Sequence, residues 1–280
     1  MSFSANNPLV TVDWLKNHAE DPRLIIMDCR WRLTDPQFGA QAYHKAHLPN
    51  AVYIDMAVDL SSPAMSYGGR HPLPKPQSFQ ESMERCGVNE FSHVIAYDDD
   101  GAGAARLWWL LQFYGHPHVS ILDGGLNAWV AHGGALTADI AKRPRGQFDP
   151  RPDPQMVVDY ETVITIKSAL PVIDARAPER YAGISDPVDA ILGHIPGAVN
   201  IPYAHVLRGP SQYQSETALA TLFEPALASP NEPIVYCGSG VSACVNIVAL
   251  RIMGRTPFLY AGSWSDWIAH SQSPIERVNR

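Results

Sequence analysis

The sequence predicts an α/β protein built twice over: two tandem domains, each a mostly parallel sheet flanked by helices. Three observations carry this reading. Four blocks recur in the same order, short apolar runs alternate with helical stretches inside each copy, and a proline-rich segment lies between the copies.

The recurrence is direct. LIIMDCR (24–30) answers to LPVIDAR (170–176), and AHLPNAVYID (46–55) to GHIPGAVNIP (193–202). HVIAYDDDGAG (93–103) answers to PIVYCGSGVSA (233–243), and DGGLNAW (123–129) to AGSWSDW (261–267). Self-similarity of this kind is the mark of a duplicated domain, here of about 125–140 residues. Residues 141–155, AKRPRGQFDPRPDPQ, hold four prolines and no apolar periodicity. Proline fixes its backbone angle and lacks an amide donor, so this segment reads as a semi-rigid linker. The expected organisation is a domain at 1–140, a linker at 141–155 and a second domain at 156–280.

Within each copy, IIMD, VIAYD, VID and IVYC are short apolar runs of the kind that form buried strands. LWWLLQFYG (107–115) and ACVNIVALRIMG (243–254) have helical length, and each ends at a glycine that can cap a helix. Buried strands alternating with helices build a parallel sheet covered on both faces.

Composition narrows the function. Of the 280 residues, 46% are hydrophobic and 18% charged, as in a well-cored globular protein. A net charge of −7 argues against a nucleic-acid partner. No apolar run approaches the ~18 residues a membrane span needs. The N-terminal MSFSANNPLVTVDWLKNHAED has no basic stretch followed by an apolar one, so no secretory or transit signal is read, and a soluble, cytoplasmic protein is expected. The four cysteines form no Cys-x-x-Cys pair and no disulfide framework, and the eleven histidines lack zinc-ligand spacing. No metal or other cofactor is expected.

One segment carries chemistry. A strand runs into Cys237, and Gly238, Ser239, Gly240, Val241 and Ser242 follow before a helix begins. Two glycines permit a tight turn whose amides point inward, and such amides beside a helix N-terminus cradle negative charge. A cysteine in that setting is stabilised as thiolate, the form that acts as a nucleophile. Cys237 is therefore the expected nucleophile, and Gly238 to Ser242 the substrate-facing loop. Cys244, Cys29 and Cys86 read as ordinary core residues.

Together CGSGVS, GHIPGAVNIP, VIDAR and AGSWSDW resemble the rhodanese/3-mercaptopyruvate sulfurtransferase family, over essentially the whole chain. The resemblance implies two rhodanese-like domains. It implies transfer of a sulfane sulfur from 3-mercaptopyruvate or thiosulfate, through a Cys237 persulfide, to cyanide or a thiol acceptor such as a small thiol or a thioredoxin-like protein. It also implies that the first domain is not catalytic, because Asp98 stands where the second copy has Cys237. In ARAPERYAG (175–183), Arg180 matches the family's anion-binding arginine. Asp55 and His71 match positions that work with the loop serine, here Ser239. Asp174 with Arg176, and the turn residues His47, Pro49, His194 and Pro196, are expected to be architectural. The neutral Gly238–Ser239 pair points to mercaptopyruvate as the sulfur donor. A second arginine is usual about nine residues after the first, yet Asp189 lies near that place, which counts against a two-arginine clamp and leaves a primarily thiosulfate:cyanide sulfurtransferase as the alternative.

Two rivals are weaker. A cysteine phosphatase needs an arginine six residues after its cysteine, where this chain has Ala243. A non-catalytic binding module would have no need of the intact cysteine loop.

Overall fold

The computed structural model describes residues 7–166 and 169–278; residues 1–6, at the head of the stretch read above for a leader, lie outside them. The chain divides into two compact units. One comprises residues 7–62, 74–153 and 209–213; the other comprises 63–73, 154–208 (with 167 and 168 undescribed) and 214–278. The segment 63–73 thus groups with the second unit, and the tip of a later hairpin with the first.

The first unit is built on a sheet of β1 (Leu9–Val10), β2 (Leu24–Asp28), β3 (Val52–Tyr53), β4 (His93–Tyr97) and β5 (Val119–Leu122), in the order β1-β5-β4-β2-β3. Every pairing in it is parallel. Its helices are α1 (Val12–His18), α2 (Phe38–Lys45), α3 (Pro76–Arg85), α4 (Ala102–Phe113) and α5 (Gly125–Ala131). β2 and β4 are buried along their whole length, as parallel strands covered on both faces must be. The proline-rich segment is tied to this unit: the Gly146 amide donates to the Glu84 carbonyl, and Phe148 packs edge-on against Phe79.

The second unit repeats the plan. Its sheet holds β6 (Val157–Val158), β7 (Val172–Asp174), β8 (Val199–Asn200), β11 (Ile234–Tyr236) and β12 (Phe258–Tyr260), in the order β6-β12-β11-β7-β8, again all parallel. A hairpin of β9 (Leu207–Gly209) and β10 (Gln212–Tyr213) separates the strands of the two halves of this sheet along the chain. The helices are α6 (Tyr160–Ile166), α7 (Pro178–Ala182), α8 (Tyr203–Val206), α9 (Glu216–Phe223), α10 (Ala243–Ile252) and α11 (Ser263–Trp267). Among the described residues no helix is long and apolar enough to cross a membrane.

Corresponding details match between the units. α4 and α10 both end as the sequence predicts. Gly115 and Gly254 take left-handed angles, and the next amides, of His116 and Arg255, reach back to the carbonyls of Leu111 and Leu250. The buried pairs Asp28–Arg30 and Asp174–Arg176 close their strands alike; each arginine also donates to a turn carbonyl, of Ala46 and Gly193 respectively. His47 stacks on Tyr43 at 3.9 Å and His194 on Tyr181 at 3.8 Å, each ring also bonded to that tyrosine's carbonyl. The repetition of these contacts in both units identifies them as architecture.

Candidate active site

The register of the second sheet sets the site. Tyr236 lies opposite Asp174, so β11, the central strand, ends level with its neighbour β7 and delivers Cys237 to the carboxyl edge of the sheet. That edge is where open α/β sheets bind ligands. Cys237 is held by its backbone: its amide donates to the Ser263 hydroxyl (3.1 Å), and its carbonyl accepts from Trp264 (3.0 Å). Ser263 has a left-handed φ of 55° and also donates to the Tyr260 carbonyl, so it clamps the end of β12 to the nucleophile.

The loop then curls over the sulfur. The Gly240 amide donates to Cys237 Sγ at 3.2 Å. Gly240 has φ 76°, and a Cβ there would collide with the Ala261 carbonyl, so glycine is required on both counts. The inward-pointing amide expected from the sequence is thus present, aimed at the thiol.

The segment 63–73 brings two further groups. It lies against α11 through bonds from the Gly68 amide to Asp266 Oδ1 (2.7 Å) and from the Arg70 amide to Ser265 Oγ (3.0 Å). His71 follows, and its Nδ1 shares a 2.8 Å hydrogen bond with Ser239 Oγ. The His71–Ser239 pair expected from the resemblance is therefore formed. Asp55, expected with them, accepts from the Tyr53 hydroxyl and from the amides of Ala57 and Val58, which sets the turn at 55–60 in the first unit.

Arg180, on α7, faces the same loop. A Cβ built on Gly238 would lie 3.1 Å from Nη2 of Arg180 and 3.1 Å from Nη2 of Arg70. Two guanidiniums thus converge on the first residue after Cys237. Arg180 donates from Nε to Asp186 (2.8 Å) and from Nη2 to Asp189 (2.7 Å). Asp189 also pairs with Arg70. Burial opposes ionisation of Asp186, but Arg180 and the amides of Val188 and Asp189 outweigh it and hold its carboxyl below the usual range. Arg70 escaped the sequence reading although it precedes His71 in GGRHPLP. Its signal was there: an arginine next to a residue already assigned to the site.

Two of the other cysteines are held in the thiol form. Burial, with Asp98 nearby, pushes the Cys29 thiol well above its usual range, and burial pushes Cys86 up to about 12. Cys244 is fully buried in α10, with its Sγ 3.4 Å from the Gly240 carbonyl.

The first unit holds a second version of the loop with Asp98 in the nucleophile's place. The Gly101 amide donates to Asp98 Oδ1 (2.9 Å), as that of Gly240 does to Cys237 Sγ, and Ser211 and the Ala104 amide add two more bonds. Burial, with Asp100 adding to it, still pushes the Asp98 carboxyl up to about 7 against the pull of those bonds. A raised carboxyl pKa means that the folded state holds the proton more tightly than the unfolded chain, whose aspartates titrate near ~4. Its stabilising effect is full below ~pH 4 and is lost as pH rises through about 7. Between these values the wild-type unfolding free energy is expected to fall relative to that of Asp98→Asn. Denaturant titrations at several pH values check this; parallel curves for the two proteins would contradict it.

The rhodanese-like domain family matches residues 11–132 and 160–270. The chain belongs to the rhodanese-type sulfurtransferases. It is 39% identical over 275 residues to a Pseudomonas aeruginosa protein assigned by inference as a 3-mercaptopyruvate sulfurtransferase, covering 95% of this chain and 97% of that one. It is 39% identical over 265 residues to a Mycobacterium tuberculosis protein assigned by inference as a thiosulfate sulfurtransferase, covering 92% of each. Among solved structures, the rhodanese-fold 3-mercaptopyruvate sulfurtransferase of Escherichia coli superposes with a TM-score of 0.81 at 33% identity, covering 92% of this chain and 99% of that one. The duplicated parallel sheets and the cysteine loop thus sit in a family whose members move sulfur.

Proposed function

We propose that Cys237 takes a sulfur atom from 3-mercaptopyruvate, and less readily from thiosulfate, and passes it on as the sulfane sulfur of a persulfide to a thiol or to cyanide. The observation that carries this is the convergence of the Arg70 and Arg180 guanidiniums on Gly238, beside a sulfur that already accepts the Gly240 amide. The Gly240 amide aimed at Sγ and the guanidinium N–H groups beside Gly238 give directional donors for the reacting sulfur and for the sulfur donor's anionic end. The guanidiniums also suit the sulfur donor's carboxylate or sulfonate-like oxygens.

With thiosulfate, the thiolate attacks the outer sulfur, a new S–S bond forms, and the old S–S bond breaks with its electron pair leaving on sulfite. With mercaptopyruvate, the thiolate attacks the thiol sulfur and the C–S bond breaks. The electron pair then passes to pyruvate, which needs a proton at C3; the thiol's own proton balances that demand. Ser239 and His71, joined at 2.8 Å, are the relay for it. An acceptor thiolate, from a small thiol or a thioredoxin-like protein, then takes the outer sulfur. All four cysteines are free, which fits the reducing cytoplasm.

Sulfite needs no proton, so the two sulfur donors separate the relay from the rest of the site. His71→Ala is expected to lower kcat with mercaptopyruvate by roughly a hundredfold, the scale of lost general acid–base catalysis, and to leave kcat with thiosulfate within a few-fold. Steady-state kinetics with both sulfur donors check it. Equal losses with both would remove the relay and leave His71 a packing role.

A further inference from the structure

We propose that Asp189 is a specificity-determining residue that biases the site toward monoanionic sulfur donors and against dianions. The proposal rests on the sulfurtransferase reading above, in which Arg70 and Arg180 hold the sulfur donor's anionic group.

Asp189 is nearly buried, with 3% of its side chain exposed, and its carboxylate bridges both guanidiniums. Oδ2 accepts from Arg180 Nη2 at 2.7 Å and lies 3.5 Å from Arg70 Nη2, while Oδ1 accepts from Arg70 Nη1. Asp186 occupies Arg180 Nε. Asp186 also lies 3.7 Å from Arg176, which is itself paired with Asp174, so three arginines and three aspartates in contact have a nominal charge of zero, and Arg70 and Arg180 supply directional N–H groups without a large net field. Any anion that binds them is repelled by Asp189 from just across a guanidinium. Coulomb repulsion is proportional to the ligand's charge, so a dianion suffers about twice what a monocarboxylate does. The site is thereby matched to one negative charge. The position nine residues after Arg180 does not lack a clamp, because Arg70 supplies the second guanidinium and Asp189 sets both the clamp's geometry and its charge.

The test uses the full chain and two unreactive probes, sulfate as dianion and acetate as monoanion. Each is titrated for its ability to protect Cys237 from alkylation by iodoacetamide, a neutral reagent. Asp189→Asn and Asp189→Ala, two different ways of removing the charge, are both expected to improve sulfate's protection relative to acetate's by roughly tenfold. The gain should shrink as ionic strength rises, because the effect is electrostatic. Asp189→Glu should keep the wild-type ratio. The ratio of kcat/KM for thiosulfate over mercaptopyruvate should move in the same direction as the protection ratio. A structural role alone would weaken both anions together and leave their ratio unmoved. Protection by both anions with an unchanged ratio in Asn and Ala variants overturns the assignment of Asp189 only. No protection by either anion in any of the proteins overturns the underlying reading of the two arginines as well.

Discussion

Cys237→Ser is expected to reduce sulfur transfer by at least about a thousandfold, the scale on which enzymes lose activity with their nucleophile. A hydroxyl cannot carry a sulfane sulfur, and the rest of the loop cannot compensate. The protein should stay folded. The backbone bonds that hold position 237 come from Ser263 and Trp264, and a serine oxygen can still accept from the Gly240 amide. Thermal unfolding beside the activity assay checks both halves of the expectation. Cys244→Ser is the control and should be nearly silent, because that sulfur lies inside α10, whereas the loop amide of Gly240 donates to Cys237. Full activity in Cys237→Ser, or a large loss in Cys244→Ser, would reassign the carrier.

Arg180→Ala is expected to lower kcat/KM by roughly 10–100-fold with either sulfur donor, mostly through KM, as the loss of a charge-assisted bond of about 1.5–3 kcal/mol implies. Arg70→Ala should have an effect of the same size, since both Nη2 groups approach Gly238 equally. Arg180→Ala also strips Asp186 of its closest cation, while Asp189 keeps Arg70, so some loss of stability should accompany the kinetic loss. Arg180→Lys separates the two effects. It restores a charge for Asp186 but not the planar fork, so stability should recover more than KM does. Unchanged kinetics in Arg180→Ala would return this residue to a purely structural part.

The fold was legible in the sequence because the duplication displays it twice. LIIMD and VID, VIAYD and IVY became β2 and β7, β4 and β11, in sheets of the same strand order, since each run is apolar enough to be covered on both faces. The glycines after LWWLLQFY and ACVNIVALRIM marked helix ends for a local reason, a left-handed angle, that a sequence shows well. The β9–β10 hairpin went unread: its strands are two or three residues long and lack alternation. Cys237 and its loop were equally local. Its partners were not: the resemblance alone brought His71 and Arg180 to it, and Arg70 went unread. Arg70 and His71 reach it from a segment more than 150 residues earlier, and nothing in GGRHPLP states that it lies against Ser265 and Asp266. Ser263 stood inside a recognised block, yet its bond to the Cys237 amide depends on a left-handed serine that no pattern announces. Asp189 registered as a missing arginine; only the three-dimensional arrangement shows it shared between two arginines.

The central claim is that sulfur resides on Cys237 between two half-reactions. The most direct measurement is the intact mass of the full chain after incubation with mercaptopyruvate or thiosulfate and no acceptor, followed by peptide mapping. The account predicts a gain of one sulfur atom on the peptide that contains Cys237, lost again on addition of cyanide or a thiol, and no gain in Cys237→Ser. Sulfur on another cysteine, or turnover without any gain in mass, would contradict it.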